Sequence, residues 1–579
     1  MAGDVEAGRE EGTVQRYHLV LAAFSFLLLT AAVITVYDHP MTGYELSVYQ
    51  STPLLFWIAI IFCQLTGILL FYKYYGTGTR LWGLGLFEIL LSNFVLLTLY
   101  LYKGFIYIER TDSMSYVGYA KDIVLGGHFH GSNFYPIASI LMAETGNITG
   151  QGMIMMSQIF PAIFFSAYTI GILCWSKAIS PQPRFITSMM LASMPIFFAW
   201  FIPTLFNQTL CVLMLPLFFY ILWRGGTGSP RFKLLAALMI VFFIVGHPMV
   251  AMAVLLFLGV MAVSERMTGK VPRTISVYIV LFGFVLLFGW IVYHALLVSD
   301  LRMIIEQLLG LTEGVSTFGN AAGQMSQMGI LSTVQSVLVC IIDDLIFALL
   351  AFFGGFYILR RWRVHPMTTI YAMFIIGGAA LIAIVFFTYA HNPFRLINLN
   401  YVMILTIPLV GYMLYFARYQ GKKLKARVIA ALIVFCLVST VYTVYQDPNS
   451  LFPNGSVTRA EIAGTDFLVH ERADDMSIFT IQTKPWRYTD LMYGAVYKRE
   501  NPDINYNERP TTAHFNSFLT TNNTMGTAYL VISDYEYVAY TQTWSAVGKF
   551  TAEDFTALAY SGTAGHIYTN NEMNLFARE

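Results

Sequence analysis

The residues best suited to chemistry lie between Lys103 and Gly150, a stretch containing YKGFIYIERTDSMSYVGYAKDIVLGGHFHGSNFYP. In it Asp112 follows Arg110 and precedes Tyr116 with Arg-x-Asp-x-x-x-Tyr spacing. A carboxylate there can take a proton from a bound hydroxyl. It can also cap a helix starting at Ser113. His128 and His130, beside Asn133, offer groups for a sugar or a metal, or simply face water. Further along, Tyr389-Ala-His391-Asn-Pro393-Phe-Arg395 joins two apolar runs. The Arg395 guanidinium can grip a phosphate bidentately or snorkel to lipid headgroups, and His391 can support the same phosphate. His247, in the tight turn Gly246-His247-Pro248, can donate to a phosphate or a sugar, or face solvent. Glu45, in GYELSVY, turns to the same site if the first apolar runs pack beside the rest; otherwise it is solvated.

The elements that must position these groups are membrane helices. Hydrophobic residues make up 57% of the chain, charged residues 12%, and mean hydropathy is +0.61. A soluble domain carries about 25% charged residues. Aromatic content of 16% suits membrane-interface belts. A net charge of +1 gives no bulk attraction to nucleic acid. Apolar runs long enough to cross a membrane recur near 18–36, 53–72, 81–102, 152–173, 185–202, 209–223, 232–246, 249–264, 275–297, 336–359, 367–388, 398–416 and 427–445. Lys and Arg crowd every second connector, while the others carry only Lys103, Arg110, Lys121, Arg302 and Arg395. The bias places the N-terminus in the cytoplasm and, after about thirteen crossings, the C-terminus outside.

Residues 1–16 read as a cytoplasmic tail, 17–445 as the membrane domain and 446–579 as a small extracytoplasmic α/β domain. The fold class expected is thus an all-α polytopic membrane protein with about thirteen transmembrane helices and a C-terminal α/β domain. In the C-terminal part, Arg459–His470 reads as a helix, 477–481 and 528–533 as strands, and Asn570-Asn571 as a hairpin turn. No cysteine falls there, so that part holds no disulfide. In the long loop after the third run, apolar residues at Tyr116, Tyr119, Ala120, Ile123 and Val124 form one face of a helix. That helix lies in the membrane interface and ends at Gly126-Gly127; a second amphipathic stretch runs from Ile137 to Ala143.

Span, Arg-x-Asp-x-x-x-Tyr, interfacial helix, Gly-Gly and second interfacial helix together resemble the first external loop of GT-C membrane glycosyltransferases. Arg110, Asp112, Tyr116, Gly126 and Gly127 occupy the matching places. The resemblance covers residues 81–445 and is to the archaeal or bacterial members. It implies transfer of a sugar from a polyprenyl-phosphate or pyrophosphate donor to a protein, glycan or lipid acceptor on the outer face of the cell membrane. In it, Asp112 is the catalytic base or a ligand for a divalent metal, Mg or Mn. The family form often has Asp-Glu where this chain has Asp112-Ser113, so the second carboxylate is missing. Donor phosphate is expected at Arg395, His391 and His247, and substrate contacts at Arg110, Tyr116, His128, His130, Asn133 and Glu45. A second long loop, from Val298 to Gln335, matches the place where oligosaccharyltransferases carry a catalytic glutamate, here Glu313. Their Trp-Trp-Asp-Tyr-Gly signature is absent, so the chain is not expected to be that enzyme. The rival readings are a transporter or flippase of a lipid-linked or polar substrate, and a non-catalytic assembly protein.

Three further features stand outside that scheme. Glu88, in the third run, and Asp343-Asp344, in or beside the tenth, are intramembrane carboxylates of the kind that are costly and often functional. Trp486, Tyr488 and Trp544 can stack on a sugar or pack a core. Asn147, Asn207, Asn454 and Asn522 each begin an Asn-x-Ser/Thr triplet.

Overall fold

A computed structural model describes residues 2–131, 133–195, 201–226, 228–268, 275–294, 298–299, 302, 305–306, 330–363, 365, 367–388, 400–450, 452–473, 477–501, 508–520 and 528–578. Helix covers all or part of every one of the thirteen apolar runs. Length then separates them. Seven helices among the described residues are long and apolar enough to cross a membrane: Gln15–Tyr37, Leu54–Tyr74, Met153–Ile179, Pro248–Thr268, Leu338–Leu359, Asn400–Tyr419 and Lys423–Val441. An eighth arises if Asn207–Leu213 and Leu215–Gly226, bent by 41°, form one span. Leu81–Leu97, Val277–Tyr293 and Thr368–Ala383 are apolar but shorter, below the ~20 residues that a ~30 Å core asks of a straight helix. By this criterion seven or eight spans are counted among the described residues, and the expected count of about thirteen is not confirmed.

The helices pack by small residues and by polar pairs between neighbouring helices. A Cβ added to Gly67 would lie 2.7 Å from the Gly85 carbonyl oxygen, so Leu54–Tyr74 and Leu81–Leu97 cross backbone against backbone. Glu88 is buried at this crossing and accepts a hydrogen bond from Ser25 at 2.6 Å. Asn93, on the same helix, accepts from Gln64 at 2.8 Å. Asp343 is buried within the long helix Ile330–Leu359, with Cys436 Sγ facing its carbonyl.

The C-terminal part builds a five-stranded sheet in the order β2-β1-β3-β5-β4, with β1 Ser477–Thr480, β2 Glu508–Pro510, β3 Ala528–Ser533, β4 Gly565–Thr569 and β5 Met573–Arg578. β1 runs parallel to both its neighbours, and β5 antiparallel to β3 and β4. Strands β1 and β3 are buried on both faces, which is why they read as continuous apolar runs. Phe479, Leu530 and Ile532 pack against Phe515, Phe518 and Phe550; Ile478, Tyr529 and Val531 pack against Leu468, Val469 and Leu575. Asn571, at φ 72°, turns the closing hairpin as an Asn in a tight turn can.

This sheet region and the loop after the third apolar run are interlocked. Tyr107 pairs with Val457 in an isolated antiparallel bridge. Helix Pro485–Tyr493 then lies on helix Asp112–Gly126. A Cβ on Gly118 would sit 2.6 Å from the Asp490 carbonyl, so glycine sets the approach. Lys121 Nζ donates to the carbonyls of Leu491 and Met492 at 2.5 and 2.8 Å, satisfying the end of the facing helix. Asp122 accepts the Val496 N–H at 3.0 Å.

Candidate functional site

Thr111 takes the N-cap position and Asp112 the first helical position of Asp112–Gly126; Gly127 closes the helix in the left-handed region at φ 71°. The Asp112 carboxylate forms an ion pair with Arg487, from the facing helix. The two partners differ in exposure: the Asp112 side chain is 61% exposed and that of Arg487 only 13%. Arg487 lies over the Trp486 ring at 4.3 Å and also reaches the Ser115 hydroxyl at 3.4 Å. Ser115 donates to Asp490 at 2.5 Å. The cation is thus fixed from three sides, and the carboxylate faces solvent.

Two residues earlier the environment reverses. Arg110 is buried and donates to both oxygens of Glu461, at 2.5 and 2.8 Å. It also donates to the Tyr488 hydroxyl at 2.7 Å and the Ser456 carbonyl at 2.5 Å, and lies 4.3 Å from the Tyr535 ring centre. Burial alone would lower its pKa, but the Glu461 carboxylate and Tyr488 outweigh that and raise it. A guanidinium so committed joins the loop to the C-terminal part. Glu461 in turn completes a capping box with Thr458 at the start of helix Arg459–Glu471.

Glu109 has no counterpart among the sequence candidates. It is buried, accepts the Arg110 backbone N–H at 2.9 Å, and has Gln446 at 3.3 Å from its other oxygen. Burial pushes its pKa up to about 7, partly offset by Arg110 and Arg487. The folded state therefore holds the Glu109 proton where the unfolded chain has lost it. Its contribution to stability is complete below the ordinary carboxylate pKa of 4.5 and is lost as pH rises through about 7. Thermal midpoints of the purified chain are expected to fall between pH 5 and pH 8, and Glu109→Gln to flatten that slope. An unchanged slope in the variant would assign the pH dependence elsewhere.

Tyr116 is buried on the inner face of the same helix. Its hydroxyl lies near the Asn207 side chain and within electrostatic reach of both Asp112 and Tyr135. Tyr135 stacks on His247 with ring centres 4.9 Å apart. Asp112, Tyr116 and His247 therefore belong to one neighbourhood, at the loop and the turn between Pro230–Gly246 and Pro248–Thr268. Asn133 is buried nearby and accepts the Tyr135 N–H at 3.3 Å. His128 is exposed and bonds the Gly126 carbonyl at 2.8 Å; His130 is also exposed. Glu45 instead forms an ion pair at 2.6 Å with Lys103, which is fully buried, and it accepts from Ser51 at 2.5 Å. Glu313, His391 and Arg395 lie outside the described residues.

Of the aromatic candidates, Tyr488 is buried against Arg110, Trp486 is spent under Arg487, and Trp544 packs edge-on to Tyr540. Among the glycosylation triplets, Asn147 is exposed, while Asn454 and Asn207 are buried with their side chains engaged. No three His, Cys, Asp or Glu residues gather to hold a metal among the described residues. One oxygen of Asp112 is taken by the Arg487 guanidinium. The residues in view do not fit the Mg or Mn expected with it.

The class so defined is a helical membrane protein whose acidic loop is clamped by a C-terminal sheet region. No family model matches the chain, and no curated protein does. Solved structures with a similar course do exist. ArnT from Cupriavidus metallidurans, bound to undecaprenyl phosphate, matches 86% of this chain and 98% of its own at 11% identity and a TM-score of 0.46. An oligosaccharyltransferase from Archaeoglobus fulgidus, tethered to an acceptor peptide, matches 88% and 74% at 12% identity and 0.49. The same organism's AglB, with an inhibitory peptide and a dolichol-phosphate, matches 85% and 74% at 11% identity and 0.47. At these scores the likeness is one of general layout, and no activity is inferred from it.

Proposed function

We propose that this chain is a membrane glycosyltransferase of the GT-C type. It would move a sugar from a polyprenyl-phosphate or pyrophosphate donor to an acceptor outside the cytoplasm. The observation that carries this reading is the pairing of an exposed carboxylate, Asp112, with a fixed and nearly buried cation, Arg487, on the loop that resembles the family's. Arg487 takes Oδ1 of Asp112. Oδ2 remains for the acceptor hydroxyl, whose proton it accepts as the oxygen attacks the anomeric carbon. The bond from that carbon to the donor phosphate breaks, and the phosphate leaves with the electron pair. His247 supports the donor phosphate, joined by Arg395 and His391. In this reading residues 1–16 are cytoplasmic, 17–445 the membrane domain and 446–579 an extracytoplasmic domain, with about thirteen crossings in which the shorter helices take part.

A second reading has a specific observation behind it. Both charged residues of the loop motif, Arg110 and Asp112, are paired with the C-terminal part, as an assembly protein without chemistry would also allow. Reconstitution separates the two. Proteoliposomes of the full chain, given a set of labelled polyprenyl-phosphate sugars and a hydroxyl- or peptide-bearing acceptor extract, are expected to yield labelled acceptor and free polyprenyl phosphate. Binding without turnover across the set would favour the assembly reading, and label crossing the bilayer without transfer would favour a flippase.

A further inference from the structure

An apolar groove of about 760 Å³ lies among helices Pro248–Thr268, Val277–Tyr293, Ile330–Leu359 and Thr368–Ala372 with its continuation Met373–Gly377. Gly259, Phe284, Phe352 and Ile376 form its walls, and Met267 and Trp362 stand at one end. Its few polar side chains are mostly turned to backbone. Thr368 donates to the Trp362 carbonyl at 2.7 Å, and Tyr371 to that of Phe352 at 3.4 Å. One wall is a π-helical turn, Met373–Gly377, with Ile375 and Ile376 lining the groove. Such turns recur at functional positions. The end at Met267 and Trp362 is flanked by exposed Arg266, Arg360, Arg361 and Arg363, and Arg363 lies 5.2 Å from the Trp362 ring centre. Lys425, from the first turn of helix Lys423–Val441, donates to Tyr357 at 2.7 Å. Glu265, the acid beside Arg266, is buried and accepts the Ile275 N–H at 3.3 Å.

We infer that this groove seats the acyl chains of an anionic phospholipid whose headgroup rests on the arginines at its basic end. Apolar walls with a one-sided collar of cations match a lipid with two tails and a negative head. Basic pockets between membrane helices bind anionic lipid headgroups, with about 1 kcal/mol per Lys or Arg near the membrane surface. The site is separate from the Asp112 loop, so it stands whether or not the chain transfers sugar.

Gly259 makes the test clean. A Cβ there meets nothing within 4 Å, so Gly259→Phe starts its side chain into open space on the groove wall. The full chain, stripped of lipid in detergent, is titrated with phosphatidylglycerol or phosphatidylcholine and read by native mass spectrometry. Wild type is expected to retain phosphatidylglycerol about tenfold or more over phosphatidylcholine. Gly259→Phe should lose both, and Arg360→Gln with Arg363→Gln should equalise them. The double arginine variant alters only exposed side chains and carries the test if the phenylalanine variant misfolds. Equal retention of the two lipids by wild type overturns the assignment. So does full phosphatidylglycerol binding by a Gly259→Phe protein of unchanged thermal midpoint. Displacement of phosphatidylglycerol by equimolar polyprenyl phosphate would assign the groove to that lipid instead.

Discussion

Asp112→Asn is expected to lower sugar transfer by roughly 100- to 10,000-fold, the range that a positioned general base contributes. The substitution keeps shape and removes the proton acceptor. It also weakens the contact with Arg487, but the Asp112 side chain is 61% exposed, and a pair so open to solvent is worth at most about 1 kcal/mol. The folded chain should therefore survive, with a thermal midpoint near that of wild type and unchanged binding of the lipid-linked donor. Arg487→Lys gives the complementary measurement. A lysine retains charge but not the fork that grips Oδ1 and reaches Ser115, so turnover should drop while donor binding changes little. Wild-type turnover by the Asp112→Asn protein in proteoliposomes would remove Asp112 from the chemistry.

Arg110→Ala is expected to cost about 3–5 kcal/mol of stability, the usual result of deleting one partner of a buried ion pair. Glu461 would remain desolvated, and the Tyr488 hydroxyl and Ser456 carbonyl would each lose a donor. The local consequence is separation of the loop from the sheet region, visible as faster proteolysis in residues 104–111. Replacing both partners by apolar residues, Arg110→Met with Glu461→Leu, should recover part of the loss, because no charge is left buried. If Arg110→Ala unfolds at the wild-type temperature, Arg110 is free for substrate, and its place among the substrate contacts returns.

The helical part of this fold was legible because a membrane helix advertises itself locally. Every apolar run fell on a helix, and Gly126-Gly127 ended the interfacial one as its left-handed C-cap requires. Helix Arg459–Glu471 and the Asn570-Asn571 turn were readable for the same reason: caps and turns are written in adjacent residues. The span count was harder, since hydropathy marks apolar composition but not where a helix bends or stops, as at Met214 between two short helices. The site was half legible. The spacing of Arg110, Asp112 and Tyr116 drew attention to this loop. It could not tell that Arg110 faces inward to Glu461 and Asp112 outward to Arg487, because those partners lie in a distant part of the chain. Glu109 escaped notice for want of any local sign that it is buried. A retrospective cue existed at Thr458-Arg-Ala-Glu461, a capping box whose glutamate had a further oxygen to share.

The clamp on the acidic loop also sets an order of events. Arg110 precedes Glu461 by 351 residues, and Asp112 precedes Arg487 by 375. At a synthesis rate of about 5–20 residues per second, the loop waits roughly 20–70 s for its partners. During that interval the first helices have entered the bilayer, yet Arg110 and Glu109 have nothing to dry them. A nascent or truncated chain thus carries the residues of the site without its arrangement. Only when the sheet region folds does the carboxylate acquire its fixed cation, so on the proposed mechanism competence arrives last, once synthesis has passed Arg487.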